Sequence, residues 1–495
     1  MTKRTQFQYA LSRRIFLRTA AGAAAALATP AWAQEISKTL LYVGCYTGRG
    51  LGIYAYDMNP TTGALTLMQV AGTPATVPNP SFIALEPHGR FLYSVNEIGN
   101  FEARQSGSVS SFSVEYPTGR MTLLNSQPTE GRNPAHLSLD STGRFVLAAN
   151  YSGTTTGTNN IAVVPVKADG SLDRPTYSGT HIGRLGPNTG RQEAPHAHQI
   201  LTDPSGQWVI ANDLGLDASF VYRLNRGDGT LTATSAPIIA APGAGPRHLA
   251  FHPNGEVLYI ICELDSTIAV YGWDSERGTA TFRQRISTLP EWYAGISTTA
   301  QVVVSADGRF VYGSNRGHDS IAIFAANPQT GELTSLGEQW TYGETPRNFN
   351  IDPSGNFMYV AHQNTDNIVT FRVNRSTGRL EFTGQIVVAG QPVCLIFHGA
   401  PAPGNTVRPG VTFQALRSPA LGDAIGYAQL TLGWNAPGVS DVDIRIASAN
   451  GPSLGRQPSY GTAVTGRWVR DGLMFFLMNA ATGETLGTVR ASVIQ

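Results

Sequence analysis

The chain has 495 residues, of which 41% are hydrophobic, with 54 glycines, 30 prolines and a formal net charge of +1. This composition is enough for a large core interrupted by many turns, and the length allows more than one domain. The balanced charge, with no basic run after the N-terminal region, excludes nucleic acid and acidic surfaces as expected partners.

The N-terminus has the features of an export signal. Ser12–Arg18 contains a twin-arginine pattern, an alanine-rich apolar run follows from Thr19 to Ala28, and Ala31-Trp32-Ala33 is a small-x-small cleavage site. We therefore expect residues 1–33 to be a twin-arginine signal peptide and the mature protein to be periplasmic or secreted. No later segment has the eighteen or so apolar residues of a spanning helix, so we expect no membrane insertion once the signal is removed.

The stretch from Pro246 to Trp273 shows a pattern that recurs along the chain. Short apolar runs are joined by the turn at residues 252–255 and by a second turn, which is typical of successive antiparallel strands. Such hairpins recur six times at intervals of roughly 50 residues, a period that belongs to four-stranded propeller blades. Leu40–Cys45 and Pro392–Phe397 would pair to form a seventh blade, which closes the ring. The sequence therefore predicts an all-β fold with a seven-bladed β-propeller over residues 38–398.

The chain has only three cysteines, which do not form a disulfide framework. Cys45 and Cys394 lie on the two strands that are predicted to meet where the ring closes, and an oxidising compartment would allow them to cross-link. Buried free thiols are the favoured interpretation, because a disulfide requires matched geometry.

The repeating pattern ends after residue 398. Residues 399–408 are rich in Pro, Gly and Ala and predict a linker. Over residues 409–495 we expect a small β-sandwich that resembles immunoglobulin or fibronectin-type modules. Its predicted strands are Ala428–Trp434, Val442–Ile446, Thr465–Val469, Met474–Leu477 and Leu486–Val493. The module has no cysteine and no cluster of histidines or carboxylates, so we interpret it as a passive binding or spacing module whose partner is unknown.

Polar residues collect at one end of the predicted blades. The turn between the first two strands of a blade lies at one face, so the start of the first strand and the end of the second lie at the opposite face. The polar residues at those positions are His196, His198, Arg247, His248, Arg347, Asn150, Asn212, Asp213, Glu263, Asn315, Arg316, His362 and Gln363. We expect them to converge on the mouth of the channel. Because three arginines near one axis repel one another unless Glu263, Asp213 or an anionic ligand offsets them, an anion-binding mouth is favoured over a merely wet channel.

Several motifs resemble the lactonase family of seven-bladed β-propellers. They are Pro195-His196-Ala197-His198-Gln199, Gly245-Pro246-Arg247-His248, the Tyr259–Glu263 strand and Ser314-Asn315-Arg316-Gly317. The family includes bacterial propeller-type 6-phosphogluconolactonases and fungal carboxy-cis,cis-muconate lactonizing enzymes. The resemblance implies a catalytic site without metal or cofactor, formed by His198, Arg247, Glu263 and Arg316. Further expected substrate-binding residues are His196, His248, Arg347, Asn150, Asp213 and His362.

The expected activity is hydrolysis of a sugar-acid lactone, a small-molecule substrate. This reaction needs a base for the water, a cation or donor for the oxyanion, and a clamp for remote anionic groups. Either Glu263 or His198 could be the base, while Arg247 and Arg316 suit a carboxylate or a phosphate. Export favours an unphosphorylated substrate, because phosphorylated sugar lactones belong to cytosolic metabolism.

Two other functions stay open. The first is a non-catalytic propeller that binds a sugar acid or a surface partner, and the second, less favoured, is cyclisation of a muconate. A Ser-His-Asp hydrolase is disfavoured because no Gly-x-Ser-x-Gly elbow is present. A metal site at His196 and His198, which an i, i+2 spacing would place on one face of a strand, is a minority interpretation because no third ligand has a compelling spacing.

Overall fold

The computed structural model describes residues 38–86, 89–152, 159–233, 236–398, 412–416, 420–421, 428–446, 453–465, 469, 473–491 and 493–494. These residues form strands, turns and bends and contain no helix. The expected signal peptide at residues 1–33, the expected linker at residues 399–408 and part of the first hairpin turn lie outside the described residues.

The first part of the described chain contains 29 strands. In the first half these are β1 Thr39–Cys45, β2 Ile53–Met58, β3 Leu65–Ala71, β4 Ile83–Leu85, β5 Phe91–Asn96, β6 Ser108–Glu115, β7 Arg120–Pro128, β8 Arg132–Leu139, β9 Phe145–Ser152, β10 Ile161–Pro165, β11 Tyr177–Gly179, β12 Ala197–Thr202, β13 Trp208–Asp213, β14 Ala218–Leu224, β15 Leu231–Ala233 and β16 Ile238–Ile239. They continue with β17 Pro246–Phe251, β18 Val257–Cys262, β19 Thr267–Asp274, β20 Thr279–Ser287, β21 Thr298–Val304, β22 Phe310–Arg316, β23 Ser320–Ala326, β24 Leu333–Trp340, β25 Pro346–Ile351, β26 Phe357–His362, β27 Asn367–Val373, β28 Leu380–Val388 and β29 Pro392–His398.

These strands form seven antiparallel sheets, which are the blades of a propeller. Blade 1 has the strand order β29-β1-β2-β3, and the next six blades are β4–β7, β8–β11, β12–β15 with β16 added to β14, β17–β20, β21–β24 and β25–β28. Leu40 pairs with His398 and Gly44 with Cys394, so the last strand of the propeller completes the first blade. The inner strands of consecutive blades contact one another around the whole ring. The predicted seven-bladed propeller with a shared closing blade is confirmed.

Hydrophobic side chains fill the spaces between blades. The cluster between blades 4 and 5, for example, joins Trp208 and Ile210 to Leu258 and Ile260. Such contacts use both faces of the blades, which explains why the second strand of a blade is nearly continuously buried, as in β13, β18 and β26. In the outermost strands, such as β20 and β28, partly buried residues alternate with exposed ones.

The three cysteines are buried free thiols. Cys45 packs against blade 7, whereas Cys394 packs against blade 2 on the other side of the sheet. The Cys45 Sγ atom donates to the carbonyl of Gly52 at 2.8 Å, while the Cys394 Sγ atom lies 3.8 Å from the carbonyl of Ile83. The two side chains therefore point apart, and the favoured interpretation of free thiols is confirmed.

The inner strands share an irregularity that determines where the site lies. Register shifts occur at Pro134/His136, Ala197/Gln199, Pro246/His248, Thr299/Val302 and Pro346/Asn348, each at the start of an inner strand. A bulge leaves the extra residue without a partner across the ladder and redirects its side chain. The bulged residues include His198, Arg247 and Arg347, all of which line a pocket in the channel. The bulges therefore direct polar residues from separate blades toward one axis.

The second part of the described chain forms an additional β domain, as predicted. Its strands are β30 Thr412–Leu416, β31 Ala420–Leu421, β32 Thr431–Asn435, β33 Asp441–Ile446, β34 Ser453–Pro458, β35 Tyr460–Val464, β36 Met474–Asn479, β37 Thr485–Arg490 and β38 Val493–Ile494. They form sheets of order β30-β32-β35, β34-β33-β36-β37 and β31-β38. Phe413, Trp434, Ile444 and Phe475 belong to one shared core, which is the packing expected of a sandwich.

One strand prediction in this domain, Thr465–Val469, falls largely outside the described residues. The amide of Thr465 donates to the carbonyl of Leu430 at 2.8 Å, and Val469 forms an isolated bridge to Ala428. The strands β34 and β35, which lie just before this segment, were not predicted. Strand β34, with the sequence SLGRQP, consists mostly of residues of low β propensity and carries no strand signal. Strand β35, with the sequence YGTAV, contains Tyr, Thr and Val but is short and is interrupted by Gly461.

Candidate functional site

A pocket lies where the bulged inner strands meet. The residues that line it come from six blades and are Ser81, Phe82, Glu97, Ala135, His198, Arg247, His248, Arg347, Asn348 and Val393. The side chains at this site form two layers. The residues at the bulge positions form the layer nearer the starts of the inner strands, and the next residue along each strand belongs to the deeper layer. Two of the bulge positions are occupied by alanines, Ala135 and Ala300.

Glu263 is held by three guanidinium groups. Its Oε2 atom accepts from Nε of Arg247 at 2.8 Å and lies 2.9 Å from NH2 of Arg316, while Oε1 accepts from NH2 of Arg191. Arg247 also donates through NH1 to the carbonyl of Ala300 at 2.6 Å. Glu263 comes directly after β18 and Arg316 ends β22, so the two strand ends meet as the propeller topology predicts.

The charge of Glu263 is fixed by these neighbours. Burial by itself would raise the pKa of this carboxyl group, but Arg316, Arg247 and Arg191 outweigh burial and hold the pKa well below its usual value. Glu263 is therefore ionised at every physiological pH, and it offsets part of the positive charge at the mouth.

A second hydrogen-bonded chain lies across blades 7, 1 and 2. Arg347 donates through NH2 to the Tyr46 hydroxyl oxygen at 2.9 Å, and its guanidinium carbon lies 5.4 Å from the centre of the Tyr46 ring. The Tyr46 hydroxyl donates to Oε2 of Glu97 at 2.9 Å, and the Ser81 hydroxyl donates to the same oxygen at 2.5 Å. Arg347 is thus oriented by the Tyr46 hydroxyl, and no carboxylate among the described residues forms a direct ion pair with it.

Three histidines surround the inner end of the pocket. The His248 ring lies 5.1 Å from His198 and 5.6 Å from His136, both in edge-to-face arrangements. Burial, together with the positive charge of Arg247, holds the pKa of His198 and of His248 well below the usual value and lowers the pKa of His136 to about 3. All three rings are therefore neutral at physiological pH.

The deeper layer also fastens each inner strand to the next. The backbone amide of Ile200 donates to Nδ1 of His136 at 3.4 Å, and that of Leu249 donates to Oε1 of Gln199 at 2.5 Å. In the same way, the amide of Leu395 donates to Oδ1 of Asn348 at 3.0 Å. These side chains satisfy amide groups on the unpaired edge of the neighbouring inner strand, so they join adjacent blades.

Three predicted site residues lie elsewhere. Asn150 donates through Nδ2 to the carbonyls of Thr129 and Asn159, and Asp213 accepts from His181 Nδ1 at 2.7 Å and from the His196 amide at 2.8 Å. His362 is fully buried. None of the three lines the pocket. Glu263, Arg316 and His196 do not line it either, but Glu263 contacts the lining residue Arg247, and Arg316 contacts Glu263. Side chains alternate across a strand, so each position one residue away from the channel-facing position turns into the blade.

His196 and His198 are separated by the bulge. His196 packs on the Tyr151 ring at 4.6 Å, and its ring nitrogens contact the Tyr151 carbonyl and Glu193. His198 also lies against the Tyr151 ring, at 5.6 Å, and it faces His248 as well. The extra residue at the bulge breaks the regular alternation, so the i, i+2 spacing alone does not decide whether the two side chains share a face. Within the described ranges, no three His, Cys, Asp or Glu side chains form a group that could hold a metal ion.

Sequence reasoning missed several residues of the site. Tyr46, Glu97 and Tyr151 occupy the same position in their blades as Glu263, where the second strand ends, and that equivalence could have revealed them. Arg191 lies in the long connection between β11 and β12 and donates through NH2 to the Tyr151 hydroxyl at 3.1 Å. No periodic signal marks that position, so only the folded structure shows it.

The fold and the site define this protein as a seven-bladed β-propeller whose channel holds a pocket lined by arginine, glutamate and histidine side chains. Within that class, this chain belongs to the lactonase family: the family model described as "Lactonase, 7-bladed beta-propeller" matches residues 40–397. The resemblance seen in the sequence is confirmed, as is the expectation that the protein is a lactonase.

Relatives and solved structures agree with this assignment. The chain is 37% identical over 319 residues to the 6-phosphogluconolactonase of Bacillus subtilis strain 168. This alignment covers 64% of this chain and 86% of the relative. It is 33% identical over 328 residues to the 6-phosphogluconolactonase of Formosa agariphila, and this alignment covers 63% of this chain and 86% of that relative. The structure of the periplasmic gluconolactonase of Pseudomonas aeruginosa is 32% identical, with a TM-score of 0.68, and the match covers 74% of this chain and 100% of that chain.

The described residues contain no helix that is long and apolar enough to cross a membrane.

Proposed function

We propose that this protein hydrolyses a sugar-acid lactone at the channel mouth by a metal-independent mechanism. The observation that carries this proposal is the imbalance of charge around a pocket that also holds a neutral histidine. Four guanidinium groups surround the site, against the two carboxylates of Glu97 and Glu263. Lactone hydrolysis creates negative charge twice, first on the oxyanion and then on the product carboxylate, and both suit this excess of cations.

His198 is the proposed general base. Its ring lines the pocket, and burial keeps it neutral, so one ring nitrogen is free to accept a proton. Glu263 is the poorer candidate because it does not line the pocket and both of its carboxylate oxygens are already engaged by arginines. Its proposed role is to orient Arg247 and Arg316.

The proposed reaction has two steps. His198 takes a proton from water while the water oxygen bonds to the lactone carbonyl carbon, and Arg247 stabilises the oxyanion that forms. The bond between this carbon and the ring oxygen then breaks, and the ring oxygen receives the proton from His198. The product is an open hydroxy acid, whose carboxyl group releases its proton to the solvent, and the resulting carboxylate remains beside Arg247 and Arg347, both of which line the pocket.

The proposed substrate is unphosphorylated. The twin-arginine pattern at residues 12–18 favours export, and a structure similar to this chain is named a periplasmic gluconolactonase. Two relatives are named 6-phosphogluconolactonases, so the phosphorylated lactone is the competing substrate.

Hydrolysis at constant pH tests this proposal. The mature protein, its His198→Gln variant and a buffer blank are compared on gluconolactone, 6-phosphogluconolactone and a muconolactone, with base consumption as the readout. We expect acceleration of gluconolactone hydrolysis that exceeds that of the phosphorylated substrate and is lost in the variant. No acceleration on any of the three would contradict the catalytic proposal. Calorimetric binding of gluconate without turnover would then indicate a non-catalytic binding protein.

A further inference from the structure

One wall of the pocket differs chemically from the arginine-rich wall. It is formed by Ser81 and Glu97 of blade 2, with Tyr46 of blade 1 behind them, and both Ser81 and Glu97 line the pocket. Glu97 is partly exposed, whereas Glu263 is only 2% exposed. The polar atoms of this wall are hydroxyls and a carboxylate.

The Glu97 carboxylate can accept more hydrogen bonds than it receives. Tyr46 and Ser81 both donate to its Oε2 atom, and within the described parts of the chain no donor contacts Oε1. A carboxylate has about four acceptor positions. The backbone of Glu97 is fixed on both sides, since its amide donates to the carbonyl of Asn79 at 3.0 Å and its carbonyl accepts from Asn79 Nδ2 at 3.2 Å. The unused acceptor is thus held in place at the edge of the pocket.

A purely electrostatic role does not account for Glu97. Glu263 is in direct contact with three guanidinium groups, which neutralise its charge. Glu97 reaches Arg347 only through the Tyr46 hydroxyl, and the described residues include no guanidinium or ammonium group in direct contact with it. Its charge therefore remains available to a ligand, and a carboxylate attracts hydroxyl donors while it repels anions.

We infer that Glu97, supported by Tyr46 and Ser81, is a specificity-determining residue that binds hydroxyl groups of a polyhydroxylated lactone, an assignment that rests on the proposed function. The arginine wall receives the reacting ester group, and the Glu97 wall receives neutral hydroxyls of the same molecule. A site that hydrogen-bonds a substrate hydroxyl discriminates strongly against an analogue that lacks it, because its polar groups are then left unpaired.

The test compares two lactones that share a six-membered ring. Gluconolactone carries hydroxyl groups, whereas δ-valerolactone has none. The variant is Glu97→Gln, which keeps the size of the side chain and removes its charge. The matched control is Glu115→Gln on the same blade, where the carboxylate is exposed and pairs with Arg120. The readouts are kcat and KM for both lactones and the affinity for D-gluconate by calorimetry.

We expect Glu97→Gln to raise KM for gluconolactone about tenfold or more, with kcat reduced less and with δ-valerolactone kinetics unchanged, so the preference for the hydroxylated substrate falls. Gluconate affinity should fall by a similar factor, and the control should match the wild type. Equal losses on both lactones, or unchanged gluconate affinity in the variant, would overturn the assignment. If the wild type accelerates no lactone, the proposed function is wrong. The role of Glu97 is then decided by gluconate binding alone. If the wild type does not bind gluconate either, that role is overturned as well.

Discussion

The Oε2 atom of Glu263 accepts a hydrogen bond from Nε of Arg247 at 2.8 Å, and neither side chain is more than 3% exposed. Arg247 occupies the bulge at the start of β17, and Glu263 directly follows β18, so one hairpin supplies both charges. Two further arginines reach the same carboxylate from other elements. Glu263 therefore links the proposed catalytic site to the packing of the ring, and its replacement tests both.

Glu263→Gln removes the charge that balances three guanidinium groups. Breaking a buried ion pair by removing one partner costs about 3–5 kcal/mol of unfolding free energy, and we expect a loss in that range. We also expect kcat/KM for gluconolactone to fall by about 100-fold or more, because Arg247 and Arg316 lose their orientation. Initial rates and urea unfolding measure the two effects.

The control for this variant is Glu276→Gln, an exposed substitution in a turn of the same blade. It should leave both quantities unchanged. Wild-type rates in Glu263→Gln would show that the carboxylate has no part in catalysis, whatever its effect on stability.

The proposed base predicts an unusual dependence of activity on pH. Because burial and Arg247 hold the pKa of His198 well below its usual value, the ring stays neutral as the pH falls through 6.5. We expect kcat/KM to change less than about twofold between pH 7.5 and 5.5, whereas a base with an ordinary histidine pKa would lose about tenfold over that range. A rate profile recorded in overlapping buffers, corrected for spontaneous hydrolysis, provides the measurement. An acid limb centred near pH 6.5 would exclude His198 as the base.

Much of the architecture was predictable because turns and apolar runs repeat at a constant period. The pairing that completes blade 1 was predictable because Leu40–Cys45 lacks a preceding strand of the repeat and Pro392–Phe397 lacks a following one. His198 and Arg247 were correctly expected near the axis because every inner strand starts there. Asn150 and Asp213 were also expected near the axis but lie elsewhere, because a shift of one residue along a strand reverses the direction of the side chain.

The bulges and the long connections account for what the sequence did not reveal. A bulge depends on how two strands pair, so the separation of His196 from His198 could not be read from their spacing. Arg191 reaches Glu263 from a connection without periodic pattern, and its position depends on contacts such as Gln192 Nε2 with Asp217 Oδ1 at 2.8 Å. The sequence of such a loop does not indicate where its side chains lie in the folded protein.

The free thiols provide a direct check on ring closure. Since Cys45 and Cys394 point toward different blades, we expect three thiols per chain in Ellman titration of denatured protein prepared without reductant, and almost none in the native state. Burial raises the pKa of both thiols, to about 11 for Cys45 and about 12 for Cys394, which further lowers their reactivity. One thiol after denaturation would reveal a disulfide and contradict the closure geometry.

His136 predicts how stability depends on pH. Its pKa is lowered to about 3 in the folded protein, mainly by burial and then by Arg247, while an unfolded histidine titrates near 6.5. Below pH 6.5 the His136 side chain is protonated in the unfolded protein but stays neutral in the folded protein. The stabilising contribution of a neutral His136 is therefore complete above that pH and is lost as the pH falls toward 3. From pH 7 to pH 5 this loss is about 2 kcal/mol.

His136→Gln tests this contribution with a substitution that the fold already uses. At the equivalent position of the next blade, Oε1 of Gln199 accepts the amide of Leu249, just as His136 accepts that of Ile200. Urea unfolding from pH 8 to pH 5 should give parallel curves for wild type and variant above pH 7.5. Below pH 6.5 the variant should lose about 2 kcal/mol less by pH 5, because glutamine does not titrate. A constant offset over the whole range would indicate a packing effect alone and would contradict the assigned titration.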